Sequence, residues 1–214
     1  MCVWCVCVVC ACCVCVLCVR VVCACCVCVL CVRVVCACGV CVCLLFTLVH
    51  TMQVHTEKLM AEKGIVLPAY QDAVWSYVKG QWDGNNLYIG DHVGQYEDAE
   101  GNMVTERGFV GESDLATVSA EQAEKLAEQA SLRLLSTLSF YLDGDLDRVD
   151  QVVKVVGIVK GDNDFIGHGK VINGASNMLV EALGDRGRHA RTCTGAGSLP
   201  AAVTIEMIVR CKPK

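Results

Sequence analysis

The segment 52–214 predicts an α+β domain with several short strands and two longer helices. Two patterns of apolar residues lead to this prediction. Apolar side chains recur at helical spacing in two stretches, and β-branched residues are concentrated in short runs elsewhere. Strands accompanied by two amphipathic helices are typical of a sheet that carries its helices on one side. We therefore expect a sheet of about five or six strands with two main helices on one face.

The leader, residues 1–51, differs in composition from the rest and is expected to lie outside the fold. It holds 17 of the 19 cysteines and no Asp or Glu, and Cys5–Leu17 returns as Cys18–Leu30 with one exchange. Three interpretations stay open: a membrane or signal segment, a cysteine-rich module, or translated simple-repeat DNA. The third makes Met52 the natural start. The evenly spread cysteines lack the paired spacing of zinc sites.

The segment after the leader is acidic, which disfavours binding to nucleic acid. It contains 16 Lys and Arg against 23 Asp and Glu, a formal net charge of −7, whereas the whole chain carries −5. An acidic surface repels phosphate backbones. We therefore expect no nucleic-acid partner. We also expect no membrane contact of the folded domain and a cytoplasmic location. Organellar or membrane targeting by the leader stays open.

The individual helices and strands follow from caps and apolar runs. Ser119 is a good N-cap with Gln122 three residues on, which predicts a helix over Ala120–Tyr141. The almost unbroken apolar run 152–159 predicts a buried strand. Further helices are expected at 56–63 and around 171–183, ended by Gly184. The remaining predicted strands are 76–81, 86–90, 109–111, 190–196 and 202–211, and 96–107 is expected to be loop.

The last two strands bring a guanidinium, a thiol and a carboxylate together if residues 197–201 form a hairpin loop. In that hairpin Cys193 lies about opposite Glu206, and Arg191 lies diagonally from Glu206 on the same face. Arg can hold a substrate carboxylate in a bidentate fork, and Glu can position or activate water. An ordinary cross-strand ion pair is the competing interpretation.

Three short motifs near the C-terminus resemble the ending of the RidA/YjgF family, also known as endoribonuclease L-PSP: Arg191-Thr-Cys193, Leu199-Pro200 and Val203-Thr-Ile-Glu206. Two preceding segments are similar to the longer branch of that family, Lys170-Val-Ile-Asn-Gly-Ala-Ser176 and Gly187-Arg-His-Ala-Arg191. The resemblance extends over 56–211. It implies a chorismate-mutase-like α+β fold and a homotrimer with ligand sites in the clefts between subunits.

The resemblance also implies an activity, the hydrolytic deamination of reactive 2-imino and enamine acids to 2-oxo acids and ammonia. It implies neither a metal nor an organic cofactor. Arg191 would hold the substrate carboxylate, and Glu206 would orient the attacking water with help from backbone groups of Cys193. By the same resemblance, Tyr77 would close the pocket from the N-terminal strand.

One departure from the family pattern affects the candidate site. The family usually has Ser-Gly-Gln after the second strand, where this chain has Gly90-Asp91-His92. Gly90 and Asp91 thus join the candidate substrate-binding residues, a pocket hydroxyl is missing, and Asp91 could repel a carboxylate if it faces the pocket. This exchange favours an alternative function, a regulatory trimer that binds a small metabolite without chemistry.

A third function, ribonuclease activity, is suggested only by the older family name. The acidic net charge argues against it, and so does the lack of a histidine pair that could act as general base. The histidines His92, His168 and His189 show no metal-binding spacing and are expected to be structural or solvated.

Overall fold

The computed structural model describes residues 56–162 and 164–213 with their side chains, and the leader only as the backbone of four strands. These strands are β1 (Val3–Cys10), β2 (Cys13–Ala24), β3 (Val27–Val35) and β4 (Cys41–Phe46), which pair antiparallel in chain order. The chain divides into two units, Met1–Gln53 and Val54–Lys214. The predicted boundary at residues 51 and 52 lies outside the described residues, and the role of the leader stays a prediction.

The second unit is the α+β domain that the sequence predicts. Its helices are α1 (Thr56–Glu62), α2 (Ala120–Tyr141) and α3 (His168–Leu183). Its strands are β5 (Gly80–Asp83), β6 (Asn86–Val93), β7 (Gln95–Glu97), β8 (Met103–Thr105), β9 (Phe109–Val110), β10 (Ala116–Val118), β11 (Val149–Val159), β12 (Ala190–Gly195) and β13 (Val203–Cys211). The main sheet has five strands in the order β12-β11-β13-β6-β5, so the predicted fold class is confirmed.

The predicted bounds of α2 agree with the structure because local signals fix its start. The Ser119 hydroxyl accepts from the Gln122 N–H at 3.2 Å, and the Gln122 side chain accepts from the Ser119 N–H at 2.9 Å. This reciprocal cap satisfies two backbone donors that a helix start leaves without partners. The predicted apolar stripe of α2 is buried: Ala123, Leu126, Ala127, Ala130, Leu134 and Leu138.

Helices α2 and α3 both pack on the same face of the main sheet. Alternate residues of β13 are buried beneath them, namely Val203, Ile205, Met207 and Val209. Gly157 of β11 lies directly under α3, since a Cβ added there would stand 2.5 Å from Ile172. Glycine thus permits the close approach of helix and sheet. The opposite face of the sheet carries exposed residues, among them Glu206 and Tyr88.

The expected hairpin of the last two strands is wrong. Strand β11 lies between β12 and β13, pairing parallel with β12 and antiparallel with β13. Parallel neighbours need a crossover connection, and α3 provides it between β11 and β12. Two smaller expectations also need correction. The stretch 96–107 is not all loop, because β7 and β8 form a short antiparallel pair, and the strand expected from residue 76 begins only at Gly80.

The helices of the described residues include none that is both long enough and apolar enough to cross a membrane.

Candidate functional site

Arg191 lies on the edge strand β12, and two residues of α3 hold its side chain. Its Nη1 donates to Asn173 Oδ1 at 2.8 Å and to Ser176 Oγ at 3.1 Å. These two bonds use both hydrogens of Nη1. Asn173 and Ser176 are three residues apart in a helix, so they lie on one side of it. Helix α3 therefore fixes one end of the guanidinium.

His189, two residues before Arg191, holds Ser176 in turn. Its Nδ1 lies 2.6 Å from the Gly187 carbonyl oxygen and its Nε2 lies 3.0 Å from Ser176 Oγ. A carbonyl can only accept, so Nδ1 carries the proton and Nε2 accepts from the Ser176 hydroxyl. Burial lowers the pKa of His189, and the positive charge of Arg191 lowers it further, which keeps the imidazole neutral. Arg191 thus donates to Ser176, and Ser176 donates to His189, in a series of hydrogen bonds with fixed donor and acceptor roles.

The other edge of the Arg191 guanidinium remains available. Among the described residues, Nε and Nη2 have no hydrogen-bond partner. Gly169 in the first turn of α3 keeps the space beside this edge open, since a Cβ added there would meet only Nη2, at 3.8 Å. Nε–H and Nη2–H together form a fork that matches the two oxygens of a carboxylate. The geometry therefore suits Arg191 to bind a carboxylate side-on.

Cys193 follows Arg191 on the helix-covered side of β12 and is half-buried against the core. Burial raises the pKa of its thiol, and the charge of Arg191 opposes that shift only in part. The protonated thiol is a weak nucleophile, so the packing of Cys193 gives no support for thiol chemistry. Within the described part of the chain, no group of three or more His, Cys, Asp or Glu side chains could hold a metal ion.

Glu206 lies on the opposite face of the sheet from Arg191. Arg191 pairs with Val155, and Val155 pairs with Met207, so these three side chains point to the same side. Met207 is buried under the helices, whereas its neighbour Glu206 is exposed. The expectation that Arg191 and Glu206 share a face is therefore wrong. The physical cause is strand β11, which lies between β12 and β13. Its pairing register places the side chains of Arg191 and Glu206 on opposite faces of the sheet.

Gly90 and Asp91 lie opposite Glu206 at a bulge in β6. Two residues of β6 face one residue of β13 here, between the pairs His92–Ile205 and Ile89–Met207. Asp91 is exposed and forms no ion pair with a described residue. The structure thus brings three of the candidate residues together, Gly90, Asp91 and Glu206, and separates them from Arg191.

Tyr77 lies just before β5, in an exposed segment that ends next to the bulge. Half of its side chain is exposed, and the Lys79 ammonium stands 5.6 Å from the centre of its ring. The Lys79 carbonyl accepts from the Gly90 N–H at 2.9 Å, which ties this segment to the bulge. Among the described residues, no hydrogen bond or ring contact joins Tyr77 to Arg191 or Glu206.

His92 is buried behind the bulge, in agreement with a structural role. Its Nδ1 donates to the Gly90 carbonyl at 2.9 Å, so its Nε2 accepts from the Thr137 hydroxyl of α2 at 2.7 Å. Burial lowers the pKa of His92 to about 4, and the charges of Lys79 and Arg133 act in the same direction. The neutral ring connects the bulge to α2 and does not face Glu206.

The support of Arg191 by Asn173, Ser176 and His189 was not predicted from the sequence. Two sequence signals could have indicated it. Asn173 and Ser176 are three residues apart on a predicted helix, and His189 and Arg191 are two residues apart, so their side chains point to the same side of an extended segment. Such spacing gains meaning only once β12 is placed beside α3.

No family model matches the chain. Protein TCP17 from Trypanosoma cruzi is 32% identical over 149 residues, which cover 68% of this chain and 88% of the relative. The crystal structure of Atu1372 from Agrobacterium tumefaciens, a protein of unknown function, is 34% identical with a TM-score of 0.63 and covers 75% of this chain and 96% of its own. A candidate endoribonuclease from Shewanella oneidensis MR-1 is 22% identical with a TM-score of 0.63, over 72% and 98% of the two chains.

These similarities agree with the motifs and the fold of the second unit. Identities above 30% with TCP17 and Atu1372 extend over most of both chains. The chain belongs to the RidA/YjgF family.

Proposed function

We propose that the protein hydrolyses reactive 2-imino and enamine acids to 2-oxo acids and ammonia, at sites that two copies of the chain complete together. The observation that supports this proposal is the position of Arg191 and Glu206 on opposite faces of one sheet. A small imino acid carries its carboxylate and its imine carbon one bond apart, so it cannot reach both groups of one chain. Arg191 of one protomer would face the partner's Glu206.

Both halves of this shared site are open to a neighbouring chain. Strand β12 is an edge strand, which leaves Arg191 accessible from the side. The Glu206 face carries partly exposed apolar residues, with Tyr88 44% and Val153 38% exposed. Partners often cover such surfaces. A homotrimer with cyclic symmetry would repeat one contact of edge against face three times and close on itself, and it is part of this proposal.

The chemistry needs only a carboxylate anchor, a base and water. The free Nε and Nη2 edge of Arg191 would bind the substrate carboxylate. The partner's Glu206 would accept a proton from water as the water oxygen attacks the iminium carbon, and the electrons of the C=N bond would move to nitrogen. Transfer of that proton to nitrogen, loss of ammonia and release of the remaining hydroxyl proton to solvent leave the 2-oxo acid. Neither an oxidant nor a reductant is consumed.

A second candidate function is supported by one specific observation, the placement of Asp91. Asp91 lies opposite Glu206 at the bulge, where the family pattern has a glycine, and Gly90 before it replaces the family's hydroxyl-bearing serine. Two neighbouring carboxylates repel an anionic substrate. Under this alternative the shared cleft would bind a small metabolite as a regulatory signal, without turnover.

The test is a mixing experiment with two inactive variants, Arg191→Ala and Glu206→Gln. We expect each alone to lower ammonia release from a dehydratase-generated imine by about 100-fold or more, because each removes one charged group of the site. When the two variants are unfolded together and refolded as mixed assemblies, about a quarter of the sites would combine an intact Arg191 with an intact Glu206 by random association. Activity would then return to a similar fraction.

Recovery after mixing would support a site shared between chains. Two inactive variants that remain inactive when mixed would contradict the shared site, although each variant had lost activity alone. Wild-type protein that binds pyruvate but releases no ammonia above the spontaneous rate would favour the regulatory function instead. Circular dichroism of each variant serves as the control for folding.

A further inference from the structure

A small cavity lies between the segment before β5, strand β6 and helix α2. Its volume is about 80 Å³, which suits an ion rather than a nucleotide or a cofactor. Seven polar side chains line it: Gln71, Lys79, His92, Gln95, Arg133, Ser136 and Thr137. The Gln95 amide already donates to the Thr105 hydroxyl. It is distinct from the Arg191 fork, which lies on β12 at the other edge of the sheet.

The charge of this cavity is positive and uncompensated. Lys79 and Arg133 both line it, whereas none of its lining residues is Asp or Glu. Neither cation forms an ion pair with a described residue. Arg133 contacts only a neutral group, donating to Gln71 Oε1 at 3.1 Å. Burial lowers the pKa of Arg133, as expected where a guanidinium leaves water without gaining a carboxylate.

Among the remaining polar groups of the cavity, some hydrogen-bond donors have no partner among the described residues. The Thr137 hydroxyl donates to His92 Nε2, and His92 Nδ1 donates to the Gly90 carbonyl, so neither group has a donor left for a ligand. The Ser136 hydroxyl has no hydrogen-bond partner among the described residues. The oxygen of Gln71 accepts from Arg133, so its amide N–H groups also remain available. The cavity therefore offers two cations and two neutral donors.

We propose that this cavity is a second binding site of the protein, for a small oxyanion such as a phosphate or a carboxylate. The ammonium of Lys79 and the guanidinium of Arg133 hold the anion from two sides, with Ser136 and Gln71 as neutral donors. Two like charges that share a small cavity repel each other, and an anion between them removes that cost. His92 lies between this cavity and the bulge at Gly90, so an occupied site would contact the bulge through one hydrogen-bonded ring.

Calorimetric titration of the full chain with inorganic phosphate, at constant chloride concentration, tests the proposal. We expect saturable binding of one phosphate per chain, weakened at least about tenfold by Arg133→Met or Lys79→Met, since each removes a charge-assisted bond. Lys58→Met removes an equal charge from the exposed face of α1 and is the matched control. Arg191→Ala should leave this binding unchanged. A parallel titration of Arg191→Ala with pyruvate shows whether this cavity takes phosphate groups, carboxylates or both, because the Arg191 fork is then removed.

Thermal unfolding gives a second measurement that does not depend on the ligand. If Arg133 is placed to bind an anion, Arg133→Met should leave the unfolding temperature in phosphate-free buffer unchanged or raise it, because a partly buried charge without a carboxylate partner is lost. The proposal is overturned if neither phosphate nor pyruvate binds to Arg191→Ala, or if Arg133→Met and Lys58→Met bind phosphate equally well. A large fall in the phosphate-free unfolding temperature of Arg133→Met would also overturn it, since Arg133 would then be structural.

Discussion

The two faces of the main sheet differ in how neighbouring side chains hold their charged residues in place. On the helix-covered face, Arg191 is held by Asn173 and Ser176, and Ser176 by His189, so this guanidinium is oriented before any ligand arrives. On the opposite face, Glu206 is exposed, and no described residue donates a hydrogen bond to its carboxylate. The Arg191 half of the proposed site is therefore preorganised within one chain. The Glu206 half would be completed only by contact with a second chain.

The largest expected effect comes from placing a charge on the Glu206 face. Tyr88→Arg puts a guanidinium where the proposed interface would bury it, and an unpaired buried charge costs several kcal/mol. We expect association weaker by about 100-fold or more, with loss of turnover at dilute protein. Analytical ultracentrifugation measures the assembly, and circular dichroism checks that each chain still folds.

A substitution on the helix-covered face provides the contrast. Gly157→Ala would place a Cβ 2.5 Å from Ile172, which overpacks the boundary between sheet and helix. We expect the free energy of unfolding to fall by about 1–3 kcal/mol, with assembly retained. If Tyr88→Arg remained fully assembled, the two faces would not differ in the way proposed.

A smaller effect is expected from Asn173→Asp, which tests the support of Arg191. A carboxylate at this position would pair with Nη1 and neutralise the guanidinium without disturbing the helix. We expect KM for the imine to rise by about tenfold, with kcat changed much less, because the substrate carboxylate is bound more weakly. Asn177→Asp, on an exposed position of the same helix, is the matched control. Equal KM values in the two variants would contradict the role of Asn173.

The smallest effect concerns His92 and is seen only in the dependence of stability on pH. The pKa of His92 is lowered from 6.5 to about 4 in the folded chain. Between these values the unfolded chain binds more protons, so this contribution to stability is complete above pH 6.5 and is lost as the pH falls towards 4. It amounts to at most about 3 kcal/mol. His92→Gln should flatten urea-unfolding free energies over this range, and an unchanged slope would contradict the buried, neutral ring.

The sequence predicts local structure well where local signals determine it. The capping pair Ser119–Gln122 and the stripe from Ala123 to Leu138 fix α2 at both ends. Alternation along 202–211 predicts β13 with its buried face. These elements depend on interactions within a few residues or on a single period, so they can be read without knowing the rest of the fold.

The neighbour of each strand was harder to predict, and the candidate site depended on it. A five-residue link, 197–201, between the last two predicted strands is compatible with a hairpin, and a hairpin is what the sequence predicts. Two signals pointed to the observed order. The run 152–159 is apolar on both sides, which is typical of a central strand, and a strand, a helix and a strand in succession are typical of a parallel crossover. With that strand order and its register, the side chains of Arg191 and Glu206 lie on opposite faces of the sheet.

The separation of Arg191 from Glu206 has a consequence for how activity would scale. If the reaction needs both groups, a solitary chain is inert however much substrate surrounds it. Specific activity would then fall as the protein is diluted below the concentration at which its copies dissociate, and a cell would control the rate through the abundance of the chain as well as through its supply of imine.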